Sequence, residues 1–145
     1  MEVNKENSCA FFASDYHLEM IMLPYINKKI KENKKIYVFT QNNLEESVNT
    51  LIDRVNLDEN IKKQLVNINW KNEDENKYKK LIDDNNAVIF IKGNENYINK
   101  VNNNLNQIKN NKDIEIVDCY NLEEIGNKIP QIITNHCNII TSKID

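Results

Sequence analysis

The sequence predicts an α/β domain built as a three-layer sandwich, a mostly parallel five-stranded sheet with helices on both faces. Three observations carry that prediction. Short β-rich apolar runs alternate with longer segments of helical period about five times along the chain. The strand candidates are apolar at consecutive positions, as strands covered on both faces are. No linker or low-complexity tail interrupts the pattern, so a single domain spans residues 1–145. A chain of that length buries roughly 68–70% of its unfolded surface without a disulfide or metal staple.

Cys9–Ala13 is the first strand candidate. Leu18, Ile21, Met22, Tyr25, Ile26 and Ile30 follow at helical spacing, with Pro24 inside the pattern. Proline removes a hydrogen bond to the carbonyl of Met20, so this helix is expected to bend or come in two pieces. Lys35–Thr40 is the second strand, followed by a helix on Leu44, Val48, Leu51, Ile52 and Val55. A short helical turn capped by Asp58 is expected between Asn56 and Gln64. Leu65–Trp70 reads as the third strand, Tyr78, Leu81 and Ile82 as a short helix, and Ala87–Lys92 as the fourth strand. Tyr97, Ile98, Val101, Leu105 and Ile108 form the next helical stripe, Ile114–Cys119 the fifth strand, and Leu122 to Cys137 the last helix. The motif Asn-Leu-Glu-Glu occurs at Asn43 and again at Asn121, each time directly after a strand. Asparagine caps a helix well and acidic residues suit its first turn, so both copies read as helix starts rather than catalytic carboxylates.

Composition excludes several classes. Nineteen basic against 22 acidic residues, a net charge of −3, is not the footprint of a nucleic-acid binder. Arg54 is the only arginine, so bidentate phosphate clamps are scarce. The lysines Lys28, Lys29, Lys31, Lys34 and Lys35 cluster where the first helix ends, and its carbonyls account for them. The run Lys-Asn-Glu-Asp-Glu-Asn-Lys-Tyr-Lys-Lys from Lys71 reads as a solvated helix face. Cys9, Cys119 and Cys137 are odd in number, far apart and in apolar contexts, as buried thiols in a reducing compartment are. No signal peptide or membrane-length apolar run is present, and a cytoplasmic protein is expected.

Chemistry in such a sheet sits at the carboxyl ends of the strands. That rule nominates Ser14, Asp15 and His17 after the first strand, Thr40 and Asn42 after the second, Trp70 after the third, Lys92 after the fourth and Tyr120 after the fifth as ligand-binding candidates. Asp118 and Cys119 lie beside them. The rim lacks the glycines that a P-loop or a dinucleotide fingerprint requires, which argues against conventional nucleotide hydrolysis and Rossmann oxidoreductase chemistry. A rival reading makes the chain a small flavodoxin- or Rossmann-like enzyme in which Asp15, His17 and Cys119 converge. Against it, residues 15 and 17 point to different sides of a helix start, and Ser14 or Asp15 suits an N-cap. Trp70 either stacks on a planar ligand or anchors its loop. His136 has no carboxylate at a useful spacing and reads as a surface or half-buried histidine.

The run from Cys9 to Ile52 resembles the start of the MEDS domain, the sensory domain of methanogen and methylotroph regulators, itself similar to RecA/KaiC-type α/β domains. Phe11-Phe12, Leu23-Pro24-Tyr25-Ile26, Ile36-Tyr37-Val38 and Glu45-Glu46 match in order, and the resemblance covers residues 9–55. Asn7-Ser8 stands where the family commonly has a histidine, and Glu32-Asn33-Lys34 replaces the glycines usual before the second strand. No family ligand residue is therefore carried across. The resemblance implies a RecA-like fold without a P-loop, used for sensing or protein contacts. The expectation is a non-enzymatic bacterial sensory or regulatory domain, able to form a homodimer, whose strand-end rim binds a small ligand or a partner protein. A purely structural interaction subunit is the third reading, and no cofactor is specified.

Overall fold

The computed structural model describes residues 7–109 and 112–141. The first six residues, which bear on the reading of a leader, lie outside them. The elements run β1 (Ser8–Phe12), α1 (Asp15–Lys31), β2 (Lys35–Thr40), α2 (Glu45–Arg54), α3 (Glu59–Val66), α4 (Glu75–Asp83), β3 (Asn86–Lys92), α5 (Glu95–Asn106), β4 (Asp113–Asn121), α6 (Leu122–Ile125), a 3-10 turn (Gly126–Lys128), α7 (Ile129–Thr134) and β5 (Asn138–Ile139). Among the described residues the sheet has five strands in the order β2-β3-β4-β1-β5, every neighbour parallel. This is the three-layer α/β sandwich, Rossmann- or RecA-like in build.

Alternation along each strand divides the core in two. Ala10, Phe12, Val38, Val88, Phe90, Val117 and Cys119 face α1, α2 and α3, whereas Cys9, Phe39, Ile89, Ile91 and Ile116 face α4, α5 and α7. The one crossover that runs back toward β2 carries α1 on the first face. Of the crossovers running the other way, β2 to β3 enters its second strand from α4, β3 to β4 from α5 and β4 to β5 from α7, all on the second face, while α2 and α3, which precede α4, pack on the first face beside α1. Opposite faces for opposite directions are what a single hand of crossover requires.

Local chemistry sets the boundaries. Ser14 caps α1, its hydroxyl accepting the His17 amide at 3.1 Å. At the other end Lys34 donates its amide to the Lys29 carbonyl and Asn33 to that of Ile30, with Asn33 at φ 63. This is a Schellman closure in which asparagine takes the left-handed position usually held by glycine. After glycine, asparagine is the residue that tolerates this conformation best. Asp58 caps α3 as expected, and Asn43 and Asn121 each accept the amide two residues on, at 2.9 Å.

Several expectations are corrected. Pro24 does not split α1, which continues through it, with Leu23 before the proline and Ile26 after it held in the core. Leu65–Trp70 is not a strand. Leu65 belongs to α3, where Ile61 and Leu65 pack one turn apart, and Ile68 to Trp70 form a loop over the sheet. The last helix is broken, since Gly126 at φ 48 ends α6 and Pro130 opens α7. Cys137 lies beyond that helix and is exposed, leading into β5, an edge strand of two residues with no sequence signature of its own.

Candidate functional site

In the strand order, β1 sends its chain back toward β2 and its neighbour β4 sends its chain forward to β5. The carboxyl ends of these two strands therefore flank the switch point of the sheet, where crevices form. Lys92, at the end of β3, reaches toward β1 past the end of β4. Its ammonium sits 2.9 Å from Asp15 Oδ1, 2.5 Å from Asn42 Oδ1 and 5.4 Å from the centroid of the Phe12 ring. Asn42 donates to Asp15 Oδ2 at 3.0 Å, and the Thr40 hydroxyl donates to the Asn42 carbonyl at 2.8 Å. Four of the eight sequence candidates, Asp15, Thr40, Asn42 and Lys92, thus form one network. The Lys92 side chain is 10% exposed and that of Asp15 43%, so the cation is the buried partner and the carboxylate faces solvent.

Gly93 closes the neighbouring turn. A Cβ there would lie 2.6 Å from both Gln41 Oε1 and Tyr97 Cδ2, and Gln41 Oε1 accepts the Asn94 amide at the start of α5. The glycine permits a close approach of β2 and β3 ends, not of a phosphate.

The other four candidates serve elsewhere. Ser14 is the cap already described. His17 is turned back on its own chain, Nδ1 accepting the Ala13 amide at 2.9 Å. Trp70 is buried and its indole donates to the Leu65 carbonyl at 2.9 Å, so it anchors its loop and offers no stacking face. Tyr120 is buried on the α5 face, stacked on Phe11 at 6.0 Å.

Sequence reasoning missed Glu19. It lies one turn beyond Asp15 on α1, is buried, and accepts the Ser47 hydroxyl from α2 at 2.5 Å. Burial raises its pKa and the Asp15 charge adds to the rise, against the Ser47 bond and the Lys92 charge. Between the starts of α1 and α2, Asp15, Tyr16, Glu19, Glu46, Ser47 and Arg54 line a cleft of about 440 Å³, within the range of small-molecule sites. Its walls carry three carboxylates against one guanidinium.

Nothing in this rim is arranged as a nucleophile. Cys119 is fully buried in the α1 face of the sheet, and desolvation, with the Asp118 charge adding, pushes its thiol far above the ordinary range. Asp15 is held by Lys92 and Asn42, and His17 by Ala13, so the three residues of the enzymatic reading do not form a relay. Among the described residues no three His, Cys, Asp or Glu side chains converge as for a metal, and no helix is long and apolar enough to cross a membrane.

A second polar cluster lies inside the other layer. Asp118, on β4, accepts from Asn102 at 2.9 Å, from Asn7 at 3.3 Å and from His136 Nε2 at 2.8 Å, while His136 Nδ1 lies 2.6 Å from the Ile132 carbonyl. His136 is therefore paired with a carboxylate 18 residues upstream, contrary to the sequence reading. Both ring nitrogens face oxygen acceptors, which only the imidazolium satisfies. Burial opposes the charge, but the bonds to Asp118 and Ile132 and the Asp118 charge outweigh it, and the pKa is raised. No protein-family model matches this chain, and neither does any curated protein or solved structure.

Proposed function

We propose that this chain is a non-catalytic sensory or regulatory domain that binds a small polar ligand bearing a cationic group in the cleft between α1 and α2. The observation that carries the reading is the pairing of a half-exposed Asp15, which lines that cleft, with a buried Lys92 behind it. A ligand cation competes with Lys92 for the Asp15 carboxylate, and Glu19 and Glu46 add to the negative field. Tyr16, 60% exposed at the rim, offers an aromatic face to the same cation. Because Lys92 is tied to Asn42 on the β2 side, displacing it is felt in the turn that leads into α2, a route from ligand to surface. The absence of phosphate-binding glycines and the resemblance of residues 9–55 to the MEDS sensory domain support the same reading.

The test is thermal unfolding with putrescine, choline and arginine as probes, and acetate and phosphate as controls. At about 100 times its Kd a ligand stabilises by about 2.7 kcal/mol, a rise of roughly 5–10 °C in Tm. The expected result is a rise with at least one cation that Asp15→Asn and Glu46→Gln each reduce. No rise with any cation, or the same rise in both variants, overturns the proposal.

A further inference from the structure

The edge of the sheet beyond β1 is held differently from the rest. β3 pairs with β4 over seven residues and β1 with β4 over five, whereas β5 pairs with β1 over two. The Cys137 amide donates to the Asn7 carbonyl at 2.9 Å and the Ile140 amide to the Cys9 carbonyl at 2.8 Å, one bond at each end of that short pairing. Net of the water they replace, such bonds stabilise only modestly. Asn138 and Ile139 are exposed, and Ile140 just past the strand is buried against the first face. α7 does not lean on β5, because Ile129 and Ile132 seat it in the second layer.

His136 stands at the bend between α7 and β5, and its Nε2 reaches past β1 to Asp118 on β4. The ring thus ties the edge strand to the middle of the sheet, over and above the strand pairing. Asn102 of α5 and Asn7 ahead of β1 bring neutral amides to the same carboxylate. Tyr120 of β4 lies edge-on to the ring at 5.8 Å, and burial raises both its pKa and that of Cys9 on β1, so neither carries charge near neutral pH. Glu95 of α5 is paired with Lys128 ahead of α7. Asp118 is the charge that acts on His136.

We infer that the bond between His136 and Asp118 is a pH-operated latch: the protonated ring holds β5 on the edge of β1, and the neutral ring lets residues 136–141 lift away while α7 stays in place. A neutral imidazole has one N–H, so it sets a lone pair against an oxygen of either Asp118 or Ile132, and one of its two bonds is lost. Burial favours the neutral ring, yet the bonds to Asp118 and Ile132 and the Asp118 charge outweigh it and raise the pKa, so the latch is fully closed below pH 6.5 and opens as pH rises through the folded value. Opening uncovers the β1 edge and the seat of Ile140, a local event that leaves the other four strands paired. The device does not depend on the ligand cleft.

The experiment is amide hydrogen exchange of the whole chain, followed by NMR between pH 6 and pH 9, without urea and in low urea, with each rate divided by its intrinsic value. The Cys137 and Ile140 amides are expected to exchange through an opening that hardly responds to urea, and to lose protection as pH rises. Ile89 and Phe90 of β3 are expected to exchange through global unfolding, which urea promotes strongly. In His136→Gln, which carries no charge at any pH, the two edge amides should show already at pH 6 the low protection that the native protein reaches at pH 9. Circular dichroism confirms that the variant is folded, and the urea comparison in the native protein stands without it. Edge amides with the urea dependence of Ile89, protection that stays constant with pH, or the native pH dependence retained in His136→Gln overturns the inference.

Discussion

Replacing His136 with alanine tests the buried charge cluster directly. Asp118 is 1% exposed and the His136 side chain 5%, so the substitution leaves a carboxylate in the core with, among the described residues, the side-chain amides of Asn7 and Asn102 as its remaining donors. Breaking one partner out of a buried pair costs about 3 kcal/mol, which for a chain of this size lowers Tm by roughly 6–12 °C. The pH dependence has a definite sign. The folded-state pKa of His136 is raised above its ordinary value of 6.5, so its stabilisation is complete below pH 6.5 and is lost as pH rises through the folded value. Urea unfolding of the native protein between pH 6 and pH 9 should therefore show stability falling with pH. The His136→Ala variant should lie well below it at pH 6 and approach it at pH 9. Nitrogen-15 spectra of the imidazole at pH 6 should show both ring nitrogens protonated. Parallel pH curves for the two proteins, or a neutral ring at pH 6, would refute the reasoning.

Three further outcomes are expected. Asp15→Ala strands the buried Lys92 ammonium and should destabilise by about 2 kcal/mol more than Lys92→Met, which leaves only a half-exposed carboxylate to be hydrated; urea midpoints of the two variants check the order. Asn33→Gly should leave stability unchanged or raise it by up to about 1 kcal/mol, whereas Asn33→Val should lower it by about 1–2 kcal/mol, because φ is 63 there; thermal melts suffice. Cys137 should react with a thiol reagent in the folded protein, while Cys119, fully buried, and Cys9, whose thiol burial pushes up to about 11, should react only on unfolding.

The fold class was legible because consecutive apolar positions in Val88–Ile91 and Ile116–Val117 have no other use than a doubly covered strand. Leu65–Trp70 misled for a related reason. Its Leu-Val-Ile-Trp content suits a strand, yet Val66 is 54% exposed and Leu65 completes the apolar stripe of α3. Tertiary packing overrode local preference. Asp15, Thr40, Asn42 and Lys92 could be found because strand ends point to one rim whatever the pairing order. Glu19 could not, since it reads as one polar residue in a helix and its burial depends on elements distant in the chain. The pairing of Asp118 with His136 depends likewise on β5 lying beside β1, and two residues of strand leave no periodicity to read.

The anchored indole of Trp70 also makes the molecule its own spectroscopic reporter. Trp70 is the only tryptophan, buried and hydrogen-bonded in the layer of α1, α2 and α3. Tyr37, Tyr78, Tyr97 and Tyr120 belong to the opposite layer. Native tryptophan emission should lie at short wavelength and shift red only when the first layer opens, while the near-ultraviolet tyrosine signal, four of whose six rings lie in the second layer and only Tyr25 in the first, follows mainly the second. Coincidence of the two transitions measures whether the sheet couples its two faces into one cooperative unit, and a gap between them measures how far one layer can melt without the other.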